Sequence, residues 1–424
     1  MTPEIKQRIE QIRRGEVPEG YVKKRKVVIP QQWGLPQIKD IASISSGSTP
    51  NRNNSEYWNG NIAWVTTGEL SSGHVNHTSE LITVKAVKET KMRIYPQGTL
   101  LMAMYGQGKT RGTVAILEID AAVNQACAAI TVKDGKSKFL FYQLKNSYQD
   151  IRKLSNTGNQ ENLNADIIKT YQVPWAPDEE QERISTILTT QDKVIELKEK
   201  RLAEKQRQKK YLMQQLLTGK KRLPGFSGEW KNIKLCEVLS ERKEKNVEQN
   251  LRICSVAVQK GVVDQVEHLG RSYAANDTSN YSVAHYGDII YTKSPTGDFL
   301  YGIVKQNLLQ ETVAVSPLYG VFTPLTFGLG YFLHTYFQSA ICARNYLLPI
   351  VQKGAKNTIN ITNDTFISSK LYLPLDVEEQ KAIADTFIAA DRKIELLQQD
   401  IEQEKQKKKA LMQLLLTGIV RVKT

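Results

Sequence analysis

The chain has few cysteines, no long apolar run and no recognisable targeting signal. Its cysteines lack the pairwise spacing of a zinc site or a disulfide framework, so we expect reduced, buried thiols. No apolar run approaches the roughly 18 residues of a membrane span, and no signal peptide opens the sequence. We therefore expect a cytoplasmic protein without a membrane partner. The four cysteines are Cys127, Cys236, Cys254 and Cys342.

Acidic residues are too few to balance the basic ones. The 424 residues contain 58 Lys and Arg against 44 Asp and Glu, which gives a formal net charge of +14. An excess of this size favours a polyanionic partner, with nucleic acid first and an anionic membrane second. The missing apolar run argues against the membrane. The length is sufficient for two or three domains with cores of their own.

The sequence does contain a long internal repeat. The segment from Glu179 to Gly219 returns from Glu378 to Gly418, with about 17 of 41 aligned positions identical. Both copies open on Glu-Glu-Gln and close on Leu-Leu-Thr-Gly. A repeat placed after each half of the chain predicts the order domain–helix–domain–helix.

Apolar residues in both copies recur at alternating steps of four and three, the heptad pattern of a coiled coil. Acidic first turns and glycine ends are typical of helix termini. At 1.5 Å per residue, about 38 residues make a rod of roughly 57 Å. One such helix cannot cover its seam alone, so we expect the two to pair. The predicted packing residues are Ile184, Leu188, Ile195, Leu202, Leu212, Leu216, Ile383, Phe387, Ile394, Ile401, Leu411 and Leu415.

The segments before the two helices also resemble each other. The stretch from Tyr95 to Leu117 parallels that from His285 to Val304. Short alternating runs between Gly, Asn and Pro predict a mixed α/β (α+β) domain in each half. The segment Val17 to Tyr21 echoes the linker Leu223 to Phe226, which indicates a circular arrangement with the termini meeting. The predicted ranges are 1–30 for an N-terminal helical segment near the C-terminal helix, 31–175 and 220–375 for the domains, and 178–219 and 377–424 for the helices.

One loop, Ala103 to Thr110, satisfies the loose form of a nucleotide-binding P-loop. That motif needs a helix after the loop, whereas Arg-Gly-Thr-Val-Ala-Ile-Leu predicts a second strand. We interpret the loop as a glycine-rich hairpin that reaches toward the nucleic-acid partner that the net charge favours. For any single residue, a solvated turn is an equal alternative. Its candidate contacts are Tyr105, Gln107, Lys109 and Arg111, with Lys293, Ser294 and Thr296 in the second half.

Further polar loops hold residue types that contact bases. Asn and Gln can pair with adenine, and Arg and Lys with guanine, although Asn is also an ordinary turn residue. His74 and His77 have no third ligand nearby, so we interpret them as surface residues and expect no metal site. The candidates are Thr49, Asn51 and Arg52 in one loop, Gln160 and Asn162 in another, and Lys260, Lys356 and Asn357 in the second half.

Taken together, these segments resemble the specificity subunit of a type I restriction–modification system over essentially the whole chain. The resemblance is carried by the repeated helices and by the segments Arg13 to Tyr21, Ser46 to Pro50, Asn61 to Leu70 and Leu217 to Phe226. It implies two target-recognition domains, each for one half of a bipartite, asymmetric double-stranded DNA target. It also implies that the antiparallel helices set the spacer and dock two methyltransferase subunits and, through them, restriction subunits of a prokaryotic phage-defence complex.

Catalytic motifs are missing from the sequence. Neither Asn-Pro-Pro-Tyr nor Asp-Pro-Pro-Tyr of an adenine methyltransferase occurs, and no carboxylate cluster suggests a nuclease. We expect a non-catalytic subunit without a cofactor, so that S-adenosylmethionine, ATP and magnesium belong to the partners. The alternative is a P-loop NTPase or a nuclease with two pseudo-repeated domains.

Overall fold

The computed structural model describes residues 2–106, 108–154, 162–271, 274–353 and 359–422. The chain divides into two compact units, Met1–Lys198 with Asp400–Thr424, and Glu199–Gln399. Helices α7 (Asp178–Leu216) and α12 (Val377–Leu415) therefore contribute a segment to each unit. Each unit also holds one mixed domain, so the predicted α+β class is confirmed.

The first unit begins with α1 (Pro3–Arg13) and a hairpin, and continues into the first domain. Its other helices are short, and its strands form a five-stranded and a three-stranded sheet. The helices are α2 (Ile38–Ile41), α3 (Val84–Thr90), α4 (Ser137–Asn146), α5 (Tyr148–Lys153) and α6 (Ala165–Thr170). The strands are β1 (Tyr21–Lys24), β2 (Val27–Pro30), β3 (Ala42–Ser46), β4 (Trp58–Val65), β5 (His74–Val75), β6 (Glu80–Ile82), β7 (Leu100–Ala103), β8 (Val114–Leu117), β9 (Ala121–Val123) and β10 (Cys127–Val132).

The second unit repeats this plan with different loops. Its helices are α8 (Gln265–Leu269), α9 (Phe327–Tyr336), α10 (Ala340–Leu347) and α11 (Asn363–Ser368). Its strands are β11 (Trp230–Lys234), β12 (Leu239–Glu241), β13 (Ile253–Ala257), β14 (Gly261–Asp264), β15 (Ser282–Ala284), β16 (Ile289–Tyr291), β17 (Val304–Gln306), β18 (Val313–Val315), β19 (Gly320–Pro324), β20 (Gln352–Lys353), β21 (Ile359–Asn360) and β22 (Lys370–Pro374).

The two domains share their strand order. The main sheet runs β3-β10-β7-β8-β5 in the first domain and β12-β19-β16-β17 in the second, and the first four strands pair antiparallel in both. A second sheet pairs β4 with β9 in parallel, as β13 pairs with β18. Strands β7, β8 and β16 are buried along their whole length, which explains their continuous apolar sequences. The domains are therefore structural as well as sequence repeats.

The long helices pair antiparallel within each unit. In the first unit Ile184 and Leu188, early in α7, share a core with Met412 and Leu415, late in α12. In the second unit the core contains the end of α7 and the beginning of α12. Among the predicted packing residues, Leu202, Leu212, Ile394 and Leu411 are half-buried. The buried ones are Ile184, Leu188, Ile195, Leu216, Ile383, Phe387, Ile401 and Leu415.

The N-terminal segment contacts the end of α12. The hydroxyl of Tyr21 donates a hydrogen bond to the carbonyl oxygen of Gly418 at 2.7 Å, and Arg8 donates to that of Ile419 at 2.6 Å. These bonds bring the two ends of the chain together, as the circular arrangement predicts.

Two sequence-based expectations concern cysteines and membranes. Cys127 and Cys254 are buried, and burial raises the pKa of the Cys127 thiol to about 12. Cys236 is exposed and Cys342 is only half-buried, so the expectation of buried thiols is wrong for Cys236. In the part of the chain that the structure describes, no helix has the length and apolar character needed to cross a membrane.

Candidate nucleic-acid interface

In the first domain, two candidate loops leave the main sheet at the same edge. Strand β3 ends where Ser46 pairs with Ala128, and β7 ends where Ala103 pairs with Cys127, one residue away on β10. Because both strands run antiparallel to β10, their carboxyl ends meet at its beginning. The loop that contains Thr49, and the hairpin that follows β7, therefore start side by side.

A third candidate segment joins this edge. The amide of Leu163, just before α6, donates to the carbonyl oxygen of Met104 at 3.0 Å, and the amide of Met104 donates to that of Ala126 at 2.8 Å. The half-buried Asn162 is thereby placed beside the hairpin. Three segments that are far apart in sequence therefore meet at this edge of the main sheet. Gln160 lies outside the described residues.

The glycine-rich hairpin (residues 105–112) connects two antiparallel strands, β7 and β8. A P-loop is followed by a helix, so the hairpin does not have the geometry on which the nucleotide-binding alternative depends. Tyr105, with 40% of its surface exposed, and Lys109 face solvent. Arg111 is 7% exposed, so its side chain lies within the domain. Gln107 lies outside the described residues.

The loop after β3 holds its polar residues in local contacts. The guanidinium of Arg52 forms a two-bond ion pair with Glu80 and lies 4.1 Å from the ring centroid of Trp58. The hydroxyl of Thr49 donates to the side chain of Gln125, and Asn51 accepts the amide of Asn53 at 3.0 Å. Glu80 compensates the charge of Arg52. Arg52 is therefore a weaker phosphate ligand in this conformation.

The second domain builds the same edge with different side chains. Strands β12 and β16 end beside the beginning of β19, as the pairing of Tyr291 with Gly320 shows. The side-chain amide of Asn363, at the beginning of α11, donates to Glu241 at 2.5 Å and brings the segment before that helix to the edge. The corresponding three chain segments therefore meet in both domains.

The candidate residues of this domain are spread over two places. Lys293, Ser294 and Thr296 follow β16 on the hairpin of residues 292–303, and Ser294 and Thr296 are exposed. Lys293 is half-buried with a left-handed φ of 58°, and burial lowers the pKa of its ammonium group. Lys260 is exposed on the β13–β14 turn, which belongs to the other sheet of this domain. Lys356 and Asn357 lie outside the described residues.

The beginning of each long helix carries a buried carboxylate that sequence reasoning missed. Glu180 accepts a hydrogen bond from the indole of Trp33 at 2.9 Å and two from Arg421 at 2.8 and 2.9 Å. In the second unit Glu379 accepts from Trp230 at 3.1 Å and from two of the three guanidinium nitrogens of Arg222, Nε and Nη2. From the sequence, an acidic first turn predicts only a complement to the helix dipole. A signal was present, because an arginine follows the terminal glycine of both copies by three residues.

A second repeated contact seats each domain on the helices. Asp192 of α7 accepts from Tyr142 of α4 at 2.8 Å and forms an ion pair with Lys408 of α12. In the second unit Asp391 of α12 accepts from Tyr331 at 3.0 Å and from Lys209 of α7 at 2.5 Å. Burial raises the pKa of both tyrosines, which keeps the hydroxyls protonated as donors. The two contacts correspond position by position in the repeat. The polar seam residues Lys209 and Lys408, which interrupt the heptads, therefore have partners.

His74 and His77 each contact a different side chain. His74 pairs with Glu118 at 2.8 Å, and His77 contacts Asn76 at 2.6 Å. Within the described ranges, no group of three or more His, Cys, Asp or Glu side chains is arranged to hold a metal ion.

Two alike mixed domains, each joined to its own stretch of a repeated helix pair, define a class of duplicated, two-module proteins. A family model described as "Type I restriction modification DNA specificity domain" matches residues 30–206 and 228–406. The chain therefore belongs to this family of type I restriction–modification specificity subunits, as the sequence resemblance indicated.

Curated relatives include two specificity subunits from Methanocaldococcus jannaschii. The chain is 34% identical to the type I restriction enzyme MjaIX specificity subunit over 178 residues, which cover 41% of this chain and 40% of that relative. It is 24% identical to the MjaVIII specificity subunit over 429 residues, covering 93% and 94%. The second alignment shows that the similarity extends across both modules.

Solved structures show the same fold at low identity. The S subunit of a type I restriction–modification system from M. genitalium superposes with a TM-score of 0.58 at 12% identity, covering 93% of this chain and 98% of that one. A chain from a study of complex assembly and conformational transition of the type I R-M system superposes with a TM-score of 0.54 at 15% identity, covering 92% and 99%. Both support the arrangement of two domains joined by helices.

Proposed function

We propose that this specificity subunit recognises a bipartite, asymmetric double-stranded DNA target, with one half of the target contacted by each domain. The observation that carries the proposal is the repeated loop edge. Both domains bring the same three segments to the same end of the main sheet, but the side chains on them differ. Two domains with the same sheet and different loop side chains are suited to recognising two different DNA sequences, because side chains in the grooves distinguish the bases.

The charge of the chain supports contact with DNA. Its net charge of +14 favours phosphate binding, which gives affinity that falls steeply with salt. Lys109 and Lys260 are exposed lysines on loops of the two domains. We propose that such residues hold the backbone and that Tyr105, Ser294 and Thr296 approach base edges.

We also propose that the helix pair sets the spacing of the half-sites and docks two methyltransferase subunits. Each long helix has 39 residues, or about 58 Å at 1.5 Å per residue. Leu197 of α7 and Leu396 of α12 occupy the same position of the repeat, and both are exposed, at 55% and 47%. Repeated apolar residues on a repeated helix provide two equivalent positions for two identical partners.

The chemistry is proposed to lie outside this chain. The sequence holds no methyltransferase motif, so methyl transfer would be performed by the docked subunits and DNA cleavage by restriction subunits joined through them. Those partners would bind S-adenosylmethionine, ATP and magnesium. The complex would act in the cytoplasm of a prokaryote as a defence against phage.

Methylome sequencing tests this proposal. A host that carries this chain with its methyltransferase partner should show methylated adenines within one motif of two specified halves separated by a fixed unspecified spacer. The same host with the methyltransferase alone is the control and should lack that motif. A methylated motif that is continuous or palindromic, or no motif that depends on this chain, would contradict the proposal.

A further inference from the structure

The backbone of the glycine-rich hairpin is tied to the neighbouring helix α5 by two side chains. The hydroxyl of Tyr148 donates to the carbonyl oxygen of Lys109 at 2.6 Å, and the Nη1 of Arg152 donates to that of Arg111 at 2.9 Å. The same Nη1 donates to the Tyr148 hydroxyl at 3.0 Å, and the guanidinium lies 5.3 Å from the tyrosine ring centroid. The two anchors therefore form one connected network, in which each bond strengthens the next.

The hairpin also has bonds of its own, because the amide of Thr113 donates to the carbonyl oxygen of Thr110 and its hydroxyl donates to that of Lys109, both at 3.0 Å. Gly106, Gly108 and Gly112 all have positive φ, at 130°, 61° and 83°. Glycine permits these angles but also permits many others, so the loop loses much conformational entropy when it is fixed. Gly112 also packs against the anchor, since a Cβ there would lie 3.2 Å from Cγ of Arg152. The bonds from α5 therefore add to the internal bonds in selecting one conformation.

The anchors hold carbonyl groups and leave side chains available. Tyr105 and Lys109 remain exposed while the Lys109 carbonyl is bonded to α5. A loop that is ordered before it meets its ligand loses less entropy on binding. It also presents side chains in one arrangement, which is what base discrimination requires.

We infer that Tyr148 and Arg152 are positioning residues for recognition of the first half-site, because they hold the glycine-rich hairpin in its DNA-contacting conformation. The inference rests on the proposed function and deepens it. It applies to the first half-site because both bonds join α5 to the hairpin of the first domain. The second hairpin is held differently, by the hydroxyl of Tyr291, which donates to the carbonyl oxygen of Tyr301 at 2.6 Å.

The test uses the full chain in its complex with the methyltransferase subunits. Tyr148→Phe removes one hydroxyl, and Arg152→Lys removes the forked donor but keeps the charge. Competition between the cognate duplex and duplexes with single base-pair changes measures discrimination at each half-site. Hydrogen exchange of the amides of residues 108–113 measures the hairpin directly. The matched control is Tyr346→Phe on α10, which removes a buried hydroxyl bonded to the carbonyl oxygen of Phe366 at 2.6 Å.

We expect each variant to lower discrimination at the first half-site about tenfold, the effect of one net hydrogen bond, and to leave the second half-site unchanged. The hairpin amides should exchange hydrogen faster in Tyr148→Phe and Arg152→Lys than in the wild-type chain. In Tyr346→Phe they should exchange at the wild-type rate. Faster exchange with undiminished discrimination would overturn the inference, since the anchor would then be structural only. So would unchanged exchange in both variants. If the wild-type complex shows no bipartite preference, the proposed function fails instead, and the exchange result still reports on the anchor.

Discussion

One buried glutamate at the beginning of each long helix joins that helix to distant parts of its unit. Glu379 is almost wholly buried, and its carboxylate is satisfied by an indole and a guanidinium. A buried ion contributes to stability only while its partners remain, because an uncompensated charge in the interior is costly. The same set of residue types recurs around Glu180.

Replacing Glu379 by Gln should destabilise the second unit by about 3 kcal/mol, because Arg222 would lose its buried counter-charge. The free energy of unfolding from urea titration measures the effect. Glu378→Gln, at the exposed neighbouring position, is the matched control and should change it by less than about 0.5 kcal/mol. If Glu379→Gln changed the free energy of unfolding as little as the control does, the buried pair would contribute nothing to stability.

Lys305 predicts a pH-dependent stability of the second unit. It is 4% exposed on β17, and burial, with Lys209 nearby, lowers the pKa of its ammonium group to about 8. In the unfolded chain the pKa is about 10.4, so the folded state binds this proton less tightly. Stability therefore rises with pH between about 8 and 10.4, and the full penalty applies below pH 8.

Lys305→Met should accordingly raise the free energy of unfolding by about 2 kcal/mol at pH 7, and the gain should shrink as the pH approaches 10. Chemical denaturation at a series of pH values measures the difference between variant and wild type. Lys243→Met, at an exposed position, is the control and should show a small difference throughout. A gain that grows with pH would refute the assigned sign.

Lys109 offers a test of DNA contact by one side chain. Its ammonium group is exposed on the hairpin, so Lys109→Ala should weaken DNA binding by the complex and reduce the salt slope by about 1. Fluorescence anisotropy at several salt concentrations measures both quantities. Lys88→Ala, exposed on α3, is the control and should leave both unchanged. If the isolated chain hydrolyses ATP and Lys109→Ala abolishes that activity, the nucleotide-binding alternative would be favoured instead.

At the scale of elements, the repeated helices are alike at their ends and unlike in the middle. Both units have the Tyr–Asp–Lys contact, and the first unit adds a polar set in which Lys198 bonds Asp400 and Glu404, both at 2.8 Å. Leu397 stands at the position that corresponds to Lys198. Because one polar contact in an apolar seam penalises shifted pairings, this set favours a single register.

The ruler proposal predicts the result of a matched insertion. Seven residues in heptad pattern added after Lys198 and again before Asp400 preserve the pairing and lengthen the rod by about 10 Å, close to three base pairs. Methylome sequencing should show a longer spacer, or no methylation where the added helical twist of DNA turns the half-site away. Seven residues inserted into the exposed β13–β14 turn are the control and should preserve the spacer. An active complex with an unchanged spacer would contradict the ruler.

At the scale of the whole molecule, duplication would explain how one chain could recognise the two different half-sites that we propose. The domains share strand order and pairing, yet the hairpins are anchored differently, by Tyr148 and Arg152 in one and by Tyr291 in the other. Loop sequences can therefore change while the frame that seats them on the helices is retained.

Exchange of residues 31–175 for those of a relative tests this modularity. The methylated motif should change in one half only, because the second domain keeps its own sheet and loops. The reciprocal exchange of residues 220–375 is the matched control and should change the other half. Changes in both halves from either exchange would mean that the domains do not recognise DNA independently.

The sequence by itself determined the repeat, the two long helices and the duplicated mixed domains. A heptad seam and strand-length apolar runs are local signals, and a repeat is visible without coordinates. The hairpin between β7 and β8 was predictable for the same reason, since a β-branched run follows the glycines.

Only the tertiary structure decided which polar groups are buried and which loops meet. Glu180 looks like an ordinary acidic first-turn residue until Trp33 and Arg421, 147 and 241 residues away, converge on it. Arg111 looks like a surface cation on a loop, yet the hairpin is folded so that its side chain is buried. Burial and contact of this kind depend on the order of strands in a sheet, which joins distant segments and leaves no local periodicity in the chain.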